Sequence, residues 1–479
     1  MGGAASPRVG LELSPSGTAA RLRSVSACSL LLAILSPFLA LSTESVTRVL
    51  LAIVILDIPL QFETHFFYRE NDAALGALGG LSISATTLAL SGLYLSWLVR
   101  ALTNRRTEQR PRLHMSKALL LYLVISAISL LVASDVSLAA FEVVLLLQSS
   151  LVYFYIANNI HNGEEVSFVV LLLLLACLAE GAIMIAMSIL VTPATTWELP
   201  IHLHAEWINS GHFMRLGGTV GSPNTAAGYL SMAIASAASV FFTNLKSAHK
   251  WLGTAALAFG VLALILTYSR GGWMALALAA TVISVSVSRR QGVSWKRPAA
   301  VLALVVVVCL PLYSIVSRRL LGDDRGSAQS RIPLMNLAFR IVKDNPVLGV
   351  GANNFTVAMD RYVTSDFREE FFFAVHNKYL LVLAETGIGG LLAFLAFLLQ
   401  TLRRGWRIWS LRDPLLSAVA LGFVGGLTGH MVHMNVDVFR GRPIQQTIFL
   451  FAGLLVAMER LSTAKTAPVK TSTCPDTAC

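Results

Sequence analysis

About thirteen long apolar runs divide the 479-residue chain, at 24–41, 46–60, 73–98, 116–134, 136–156, 166–192, 224–244, 249–268, 271–288, 298–316, 377–402, 415–433 and 444–460. Roughly 20 apolar residues at about 1.5 Å rise each cross the hydrocarbon of a bilayer as a helix. Inside lipid each backbone donor and acceptor must be satisfied within the spanning structure, so continuous runs of this kind dictate helices. The expected fold is therefore all-α, a polytopic transmembrane bundle. Composition agrees: 55% of residues are hydrophobic and only 13% charged, about half the charged share of a soluble domain.

The net charge of +11 then belongs to the loops and implies no nucleic acid, because Lys and Arg accumulate on the cytoplasmic side of membrane proteins. Short basic connections lie at Arg100 to Lys117, Arg289 to Arg297 and Arg403 to Arg412, with a weaker one holding Lys246 and Lys250. All four fall on one side when the runs between them are counted. That side is the cytoplasm, and the membrane is the cytoplasmic (inner) membrane. The N-terminus carries Arg8, Arg21 and Arg23, which favours about 12 spans (11–13) with both ends inside. The expected organisation is a disordered leader over 1–20, a membrane domain over 21–460 and a disordered cytoplasmic tail over 461–479. No removable signal peptide is expected. Two long external loops result, 193–223 and 317–376. The second, between the tenth and eleventh runs, is long enough to expect a capping subdomain. Within it Phe339 to Pro346 has helical spacing and Gly349-Val-Gly351 supplies a turn.

Three basic side chains stand at the external mouths of different runs. Arg215 precedes the seventh, Arg270 lies between the eighth and ninth, and His376 opens the eleventh. Two runs separate the first pair and two the second. An even number each time places all three on one face, whichever way the chain is inserted. Arginine outside runs against the usual charge bias and suits phosphate, whose oxygens its fork binds bidentately. A histidine titrates near neutral pH and is able to take a proton from a hydroxyl. No nucleotide pool is expected on that face, so a synthetic reaction there needs a donor activated beforehand, and a lipid-linked diphosphate fits. On a straight helix at about 100° per residue, Gly387 returns to nearly the face of His376 and lets a neighbouring helix pack beneath it. Glu385 falls on the opposite face, about 13 Å deeper.

The chain contains no phosphate-binding glycine loop, dinucleotide fingerprint or metal-ligand spacing, and its cysteines at 28, 177, 309, 474 and 479 show no disulfide pattern. No cofactor is expected. Asp323 and Asp324 suit a solvated turn better than a metal, and His430 with His433, one turn apart, lacks a third ligand. Asp57, Glu142 and Glu180, in or beside apolar runs, support a rival expectation of a proton-coupled secondary transporter or flippase. Glu385 is expected to be a helix-packing polar group. Asp437, Arg440 and Arg442 follow the twelfth run and are candidates to line the same cleft.

Arg215 with Gly221-Ser-Pro-Asn224, Ser269-Arg-Gly-Gly-Trp273, Asn345-Pro-Val-Leu-Gly-Val-Gly351 and His376-Asn-Lys-Tyr-Leu380 with Glu385-Thr-Gly387 resemble the O-antigen ligase and polymerase superfamily over roughly residues 200 to 455. The resemblance implies a membrane glycosyltransferase with a large external loop, working on polyprenyl-diphosphate-linked glycan without metal or nucleotide. It implies that Arg215 and Arg270 hold the diphosphate and that His376 activates the acceptor hydroxyl. Arg331 matches a recurrent arginine of less defined role. With Asn224, Asn377 and Tyr268 it completes the candidate substrate-binding set. The implied partners are the lipid-linked donor, a glycan, lipid or protein hydroxyl acceptor, and membrane lipids. A single displacement without a nucleophilic carboxylate pair inverts the anomeric carbon.

Overall fold

The computed structural model describes residues 43–103, 113–190, 203–208, 213–290, 299, 303, 331–363 and 373–466. The expected leader, most of the run at 298–316, Asp323 and Asp324 lie outside them. Backbone packing divides the chain into two units, residues 1–51 with 91–110 and residues 52–90 with 111–479. In the first, Arg100 donates to Thr47 Oγ1 and, at 3.0 Å, to Ser96 Oγ. The second contains the candidate site.

The longer helices among the described residues are α1 (Glu44–Leu60), α2 (Ala85–Thr103), α3 (Lys117–Ile128), α4 (Val136–Asn159), α5 (Gly163–Leu190), α6 (Pro223–Ser239), α7 (Ser247–Leu266), α8 (Arg270–Arg289), α9 (Arg331–Asp344), α10 (Lys378–Trp409), α11 (Pro414–His433) and α12 (Arg442–Thr466). Two antiparallel hairpins interrupt them: β1 (Glu63–Phe66) with β2 (Leu81–Ser84), and β3 (His204–Ile208) with β4 (Phe213–Gly218). Nine of the described helices are long and apolar enough to cross a membrane, namely α2, α4 to α8 and α10 to α12. The stretch Lys117–Leu131 is apolar but shorter. The chain is an all-α, multi-pass membrane bundle. Twelve spans would also require the shorter helices and runs outside the described residues.

Local chemistry sets the helix starts. Ser222, Ser269, Asn377 and Asp413 each accept a hydrogen bond from a backbone N–H of the following turn, and Pro223 and Pro414 supply the pre-set φ of a first turn. Along α11, Gly422, Gly425, Gly426 and Gly429 lie against Ser239, Ala279, Met232 and Ala275. Small residues on that helix let α6 and α8 approach closely, as membrane helices require.

The run at 73–98 departs from expectation. It begins at the end of a short helix, Glu70–Ala74, continues through a loop and the second strand of the first hairpin, and enters its long helix only at Ala85. The loop at 193–223 contains the second hairpin. In the segment before His376, α9 buries Leu334, Leu337, Ala338 and Ile341. Their i, i+3, i+4, i+7 spacing makes one apolar face, which packs with Phe355, Met359, Val375, Leu381 and Ala384.

The largest correction concerns α10, which is not a straight helix. At Gly387 the backbone takes φ +67 and ψ −172, a left-handed conformation that L side chains avoid. The turn 346–351 fills the break. Val350 N donates to Ala384 O at 2.9 Å, Gly351 N to Glu385 O at 3.0 Å, and Ile388 N to Pro346 O at 3.0 Å. A Cβ on Gly387 would lie 2.0 Å from the Val347 carbonyl oxygen. What packs against Gly387 is therefore the turn 346–351 and not a neighbouring helix. The facing relation of His376, Glu385 and Gly387 on an unbroken helix does not apply.

Candidate functional site

Arg215 sits on β4 and is fixed by three contacts. Its Nε donates to Thr267 O at 3.0 Å, one terminal nitrogen to Asn224 Oδ1 at 2.8 Å, and the other meets Glu206 Oε2 at 3.2 Å. β4 is itself held from below, because Glu180 on α5 accepts from Thr219 N at 3.0 Å and from the Thr219 hydroxyl. Gln61 donates to Thr219 O. Burial lowers the Arg215 pKa, Glu206 and Asp437 oppose the shift, and Arg331 adds to it.

The Thr267 carbonyl belongs to the α7–α8 turn. There Tyr268 is buried with φ +52, an uncommon backbone for an aromatic residue. Ser269 Oγ caps Gly272 N at 3.3 Å. Arg270 is the first residue of α8, so the Thr267 contact ties Arg215 to the turn that carries Arg270. Gly271 faces His433: a Cβ there would be 2.4 Å from the imidazole and 3.2 Å from Val436.

His376 reaches the same segment from the other side. Lys378 N donates to Met434 O at 2.8 Å, and the Tyr379 hydroxyl to Met431 O at 2.7 Å. His376 is half-buried, with the Phe373 ring 5.2 Å away centroid to centroid. Burial holds its imidazole below the ordinary histidine value. The Asp437 carboxylate pulls it upward, and the Arg331 guanidinium pushes it down again. Asp437 and Arg331 thus act on both Arg215 and His376. The stretch His433 to Asp437 is the hub on which the β4, α8, α9 and α10 contributions converge.

Among the sequence candidates, Arg215, Arg331 and His376 share one electrostatic neighbourhood, and Arg270 opens the helix beside it. Asn224 faces Arg215 and orients it. Asn377 is engaged as a helix cap, its Oδ1 accepting from Leu380 N at 2.9 Å. Arg440 and Arg442 do not line the cleft. Arg440 is buried and donates to Asn353 Oδ1 at 2.5 Å and to Glu385. Arg442 is buried against Asp57 at 3.0 Å and Glu63 at 2.8 Å. Glu385 is accordingly an ion-pair partner beside the helix break rather than a lone packing group. Sequence reasoning missed Glu206, an acidic residue in a loop whose pairing with Arg215 exists only through the β3–β4 register. It also set His433 aside as packing, and nothing in the order of residues shows that histidine under Gly271. His430 is fully buried against Phe439, with ring centroids 4.6 Å apart. Among the described residues no group of three or more His, Cys, Asp or Glu side chains is placed to hold a metal ion.

The three-point hold on Arg215 predicts an intolerant position. A lysine keeps the charge but lacks the planar fork. Arg215→Lys is expected to lower kcat/KM for transfer by about 100-fold, the order of loss from misplacing a positioning group, in an assay of membranes matched for protein content.

No curated protein matches the chain. The family model described as O-antigen ligase matches residues 255–395. That region takes in most of α7, all of α8 and α9, the 345–351 insert, His376 and the broken part of α10. Arg215, Asn224 and the 433–437 hub lie outside it. Through this matched region, which carries Arg270, Arg331 and His376, the chain is similar to the O-antigen ligase family.

Proposed function

We propose that this chain moves a glycan from a polyprenyl-diphosphate carrier to a hydroxyl acceptor on the extracytoplasmic face of the cytoplasmic (inner) membrane, with inversion and without metal or nucleotide. At the coarser level, family and spanning helices make it a membrane enzyme of glycan transfer in polysaccharide biosynthesis. The observation that supports the finer reading is that Asp437 and Arg331 each lie within electrostatic reach of both Arg215 and His376, beside the start of α8.

The chemistry follows from these groups. Arg215 and Arg270, with Arg331 near them, face the diphosphate and stabilise the negative charge that grows on it as the anomeric C–O bond breaks. His376 accepts the proton of the acceptor hydroxyl as its oxygen forms the new bond to that carbon. Carrier diphosphate departs on its lipid. Asp437 lies where it favours the imidazolium that results. Tyr268, Asn224 and Asn377 shape the approach, Asn224 by orienting Arg215 and Asn377 by starting α10 immediately after the base. Of the acids that suggested a transporter, Asp57 and Glu180 are occupied, whereas Glu142 is buried with its Oε2 unpaired among the described residues. Asp57 accepts from Phe62 N, Thr86 and Arg442, and Glu180 from Thr219.

Purified protein in vesicles, given lipid-diphosphate-linked glycan and a hydroxyl acceptor, tests the proposal. Covalent product with release of carrier diphosphate is expected, undiminished by EDTA. Movement of donor across the vesicle with no covalent product would establish the transporter instead.

The lowered His376 pKa sets the pH profile. The base works only when neutral, and protonation below its pKa removes it. As pH rises, kcat/KM is therefore expected to climb through an apparent pKa below 6.5 and then stay level through neutrality. A profile still rising above pH 7 would assign the proton to another group.

A further inference from the structure

The first hairpin carries a feature that transfer chemistry does not use. Phe66, Phe67 and Tyr68 at its tip are 45%, 79% and 57% exposed. Phe67 has φ +55, a backbone that a bulky side chain seldom adopts. The tip is nevertheless held firmly. Glu63 accepts from Ser82 Oγ at 2.6 Å and from Arg442 Nε at 2.8 Å. Arg69 N donates to Gly79 O at 2.7 Å, and the Arg69 guanidinium pairs with Asp135 at 2.5 Å.

That ion pair joins the hairpin to the α3–α4 turn, where Leu131, Val132 and Val136 are 84%, 42% and 55% exposed. The two elements thus present one apolar collar. It continues an exposed stripe on α3 formed by Leu121, Val124 and Ile128, whose spacing of three and four residues is one helix face. On an apolar helix of a membrane bundle such a stripe faces lipid. The collar also starts where a span begins: Leu81, the partner of Phe66, is followed four residues later by Ala85, the first residue of α2. At about 3.3 Å per strand residue the tip lies within about 13 Å of that span's end.

We propose that this hairpin and the α3–α4 turn form an interfacial collar, sunk at the headgroup–acyl boundary of the leaflet on the His376 side, with membrane lipid as its occupant. Exposed aromatic rings are favoured at that depth, where an apolar body meets a wet edge. In water a rigid apolar collar of this kind would be an aggregation hazard. The collar also bears on the candidate site. The ring of Phe373 lies over Gly76, Ala374 N donates to Leu75 O at 2.9 Å, and Phe373 stacks near His376. Anchoring the hairpin therefore sets the depth of His376 at the level where a lipid-anchored headgroup lies. The proposal stands whether or not the transfer chemistry above is correct.

The test is a nitroxide at F67C in the full chain, with Cys28, Cys309, Cys474 and Cys479 replaced by serine and buried Cys177 kept, reconstituted in phospholipid vesicles. Collision with oxygen and with a water-soluble nickel chelate reports depth. The expected result lies between a bilayer control at L121C and an aqueous control at S410C, about 5–10 Å inside the interface. F66C is expected to agree, and carries the test if F67C is not recovered folded. Labels as open to nickel as S410C would overturn the proposal, leaving the collar facing water for a protein partner. Labels as deep as L121C would overturn the interfacial placement.

Discussion

His376→Ala is expected to reduce the rate of glycan transfer by about 10²–10⁴-fold, the contribution of a positioned general base, with little change in KM for the lipid-linked donor. The reasoning is local. His376 lies just before the cap of α10 and takes no part in the capping bond, which Asn377 supplies. Truncating it leaves the helix start and its bond to Met434 intact, so protein abundance in the membrane is expected to be unchanged. On the proposed chemistry the arginines would still hold the diphosphate, so donor binding is expected to persist while the acceptor keeps its proton. Initial-rate kinetics on purified protein, with abundance measured in parallel, decide the matter. Normal abundance with undiminished transfer would remove His376 from the chemistry.

Gly387→Ala is expected to destabilise the fold rather than the chemistry, by about 3–6 kcal/mol. The left-handed backbone costs an alanine about 1–2 kcal/mol. Its Cβ would also stand 2.0 Å from the Val347 carbonyl oxygen, so the turn 346–351 has to withdraw. Withdrawal gives up the Val350–Ala384, Gly351–Glu385 and Ile388–Pro346 hydrogen bonds, each worth about 0.5–1.5 kcal/mol. Thermal unfolding in detergent measures the loss, and hydrogen exchange at Val350 and Gly351 shows whether the insert has left the break. An unchanged melting temperature with full protection at those amides would mean the helix closes without the insert. Gly389→Ala is the matched control, since its nearest neighbour is the Ile125 side chain at 3.4 Å.

The two predictions also mark how far the sequence could be read. His376, Arg215 and Arg270 were visible as same-face residues because counting apolar runs needs only length and charge. The helix of the segment before His376 was partly visible in its apolar spacing, although α9 begins at Arg331, earlier than the expected stretch at Phe339 to Pro346. The motif at Asn345 to Gly351 was visible as a turn but not as the partner of Gly387. A periodicity argument assumes an unbroken helix, and the break is made by residues about forty positions away in the chain. The same limit explains Arg440 and Arg442. Two arginines in a short loop beside a cleft look available for a ligand, and only the positions of Glu385, Asn353, Asp57 and Glu63 show that they are already taken. Glu180 looked like an intramembrane acid in want of a function. Its hydrogen bonds to Thr219 show it supporting the strand that carries Arg215.

By itself the amino-acid sequence determined that the chain is a bundle of membrane helices, and that a histidine and separated arginines belong to one end of it. Both follow from the cost of leaving backbone groups unpaired in lipid and from the even number of runs between those residues, which depend on residue type and order alone. The tertiary structure decided which charges are paired with one another inside the fold. It did so through the His433 to Asp437 hub, the break at Gly387 and the buried pairs of Arg440 and Arg442. Those are contacts between residues distant in the chain, and a buried charge takes its role from the partner that packing brings to it.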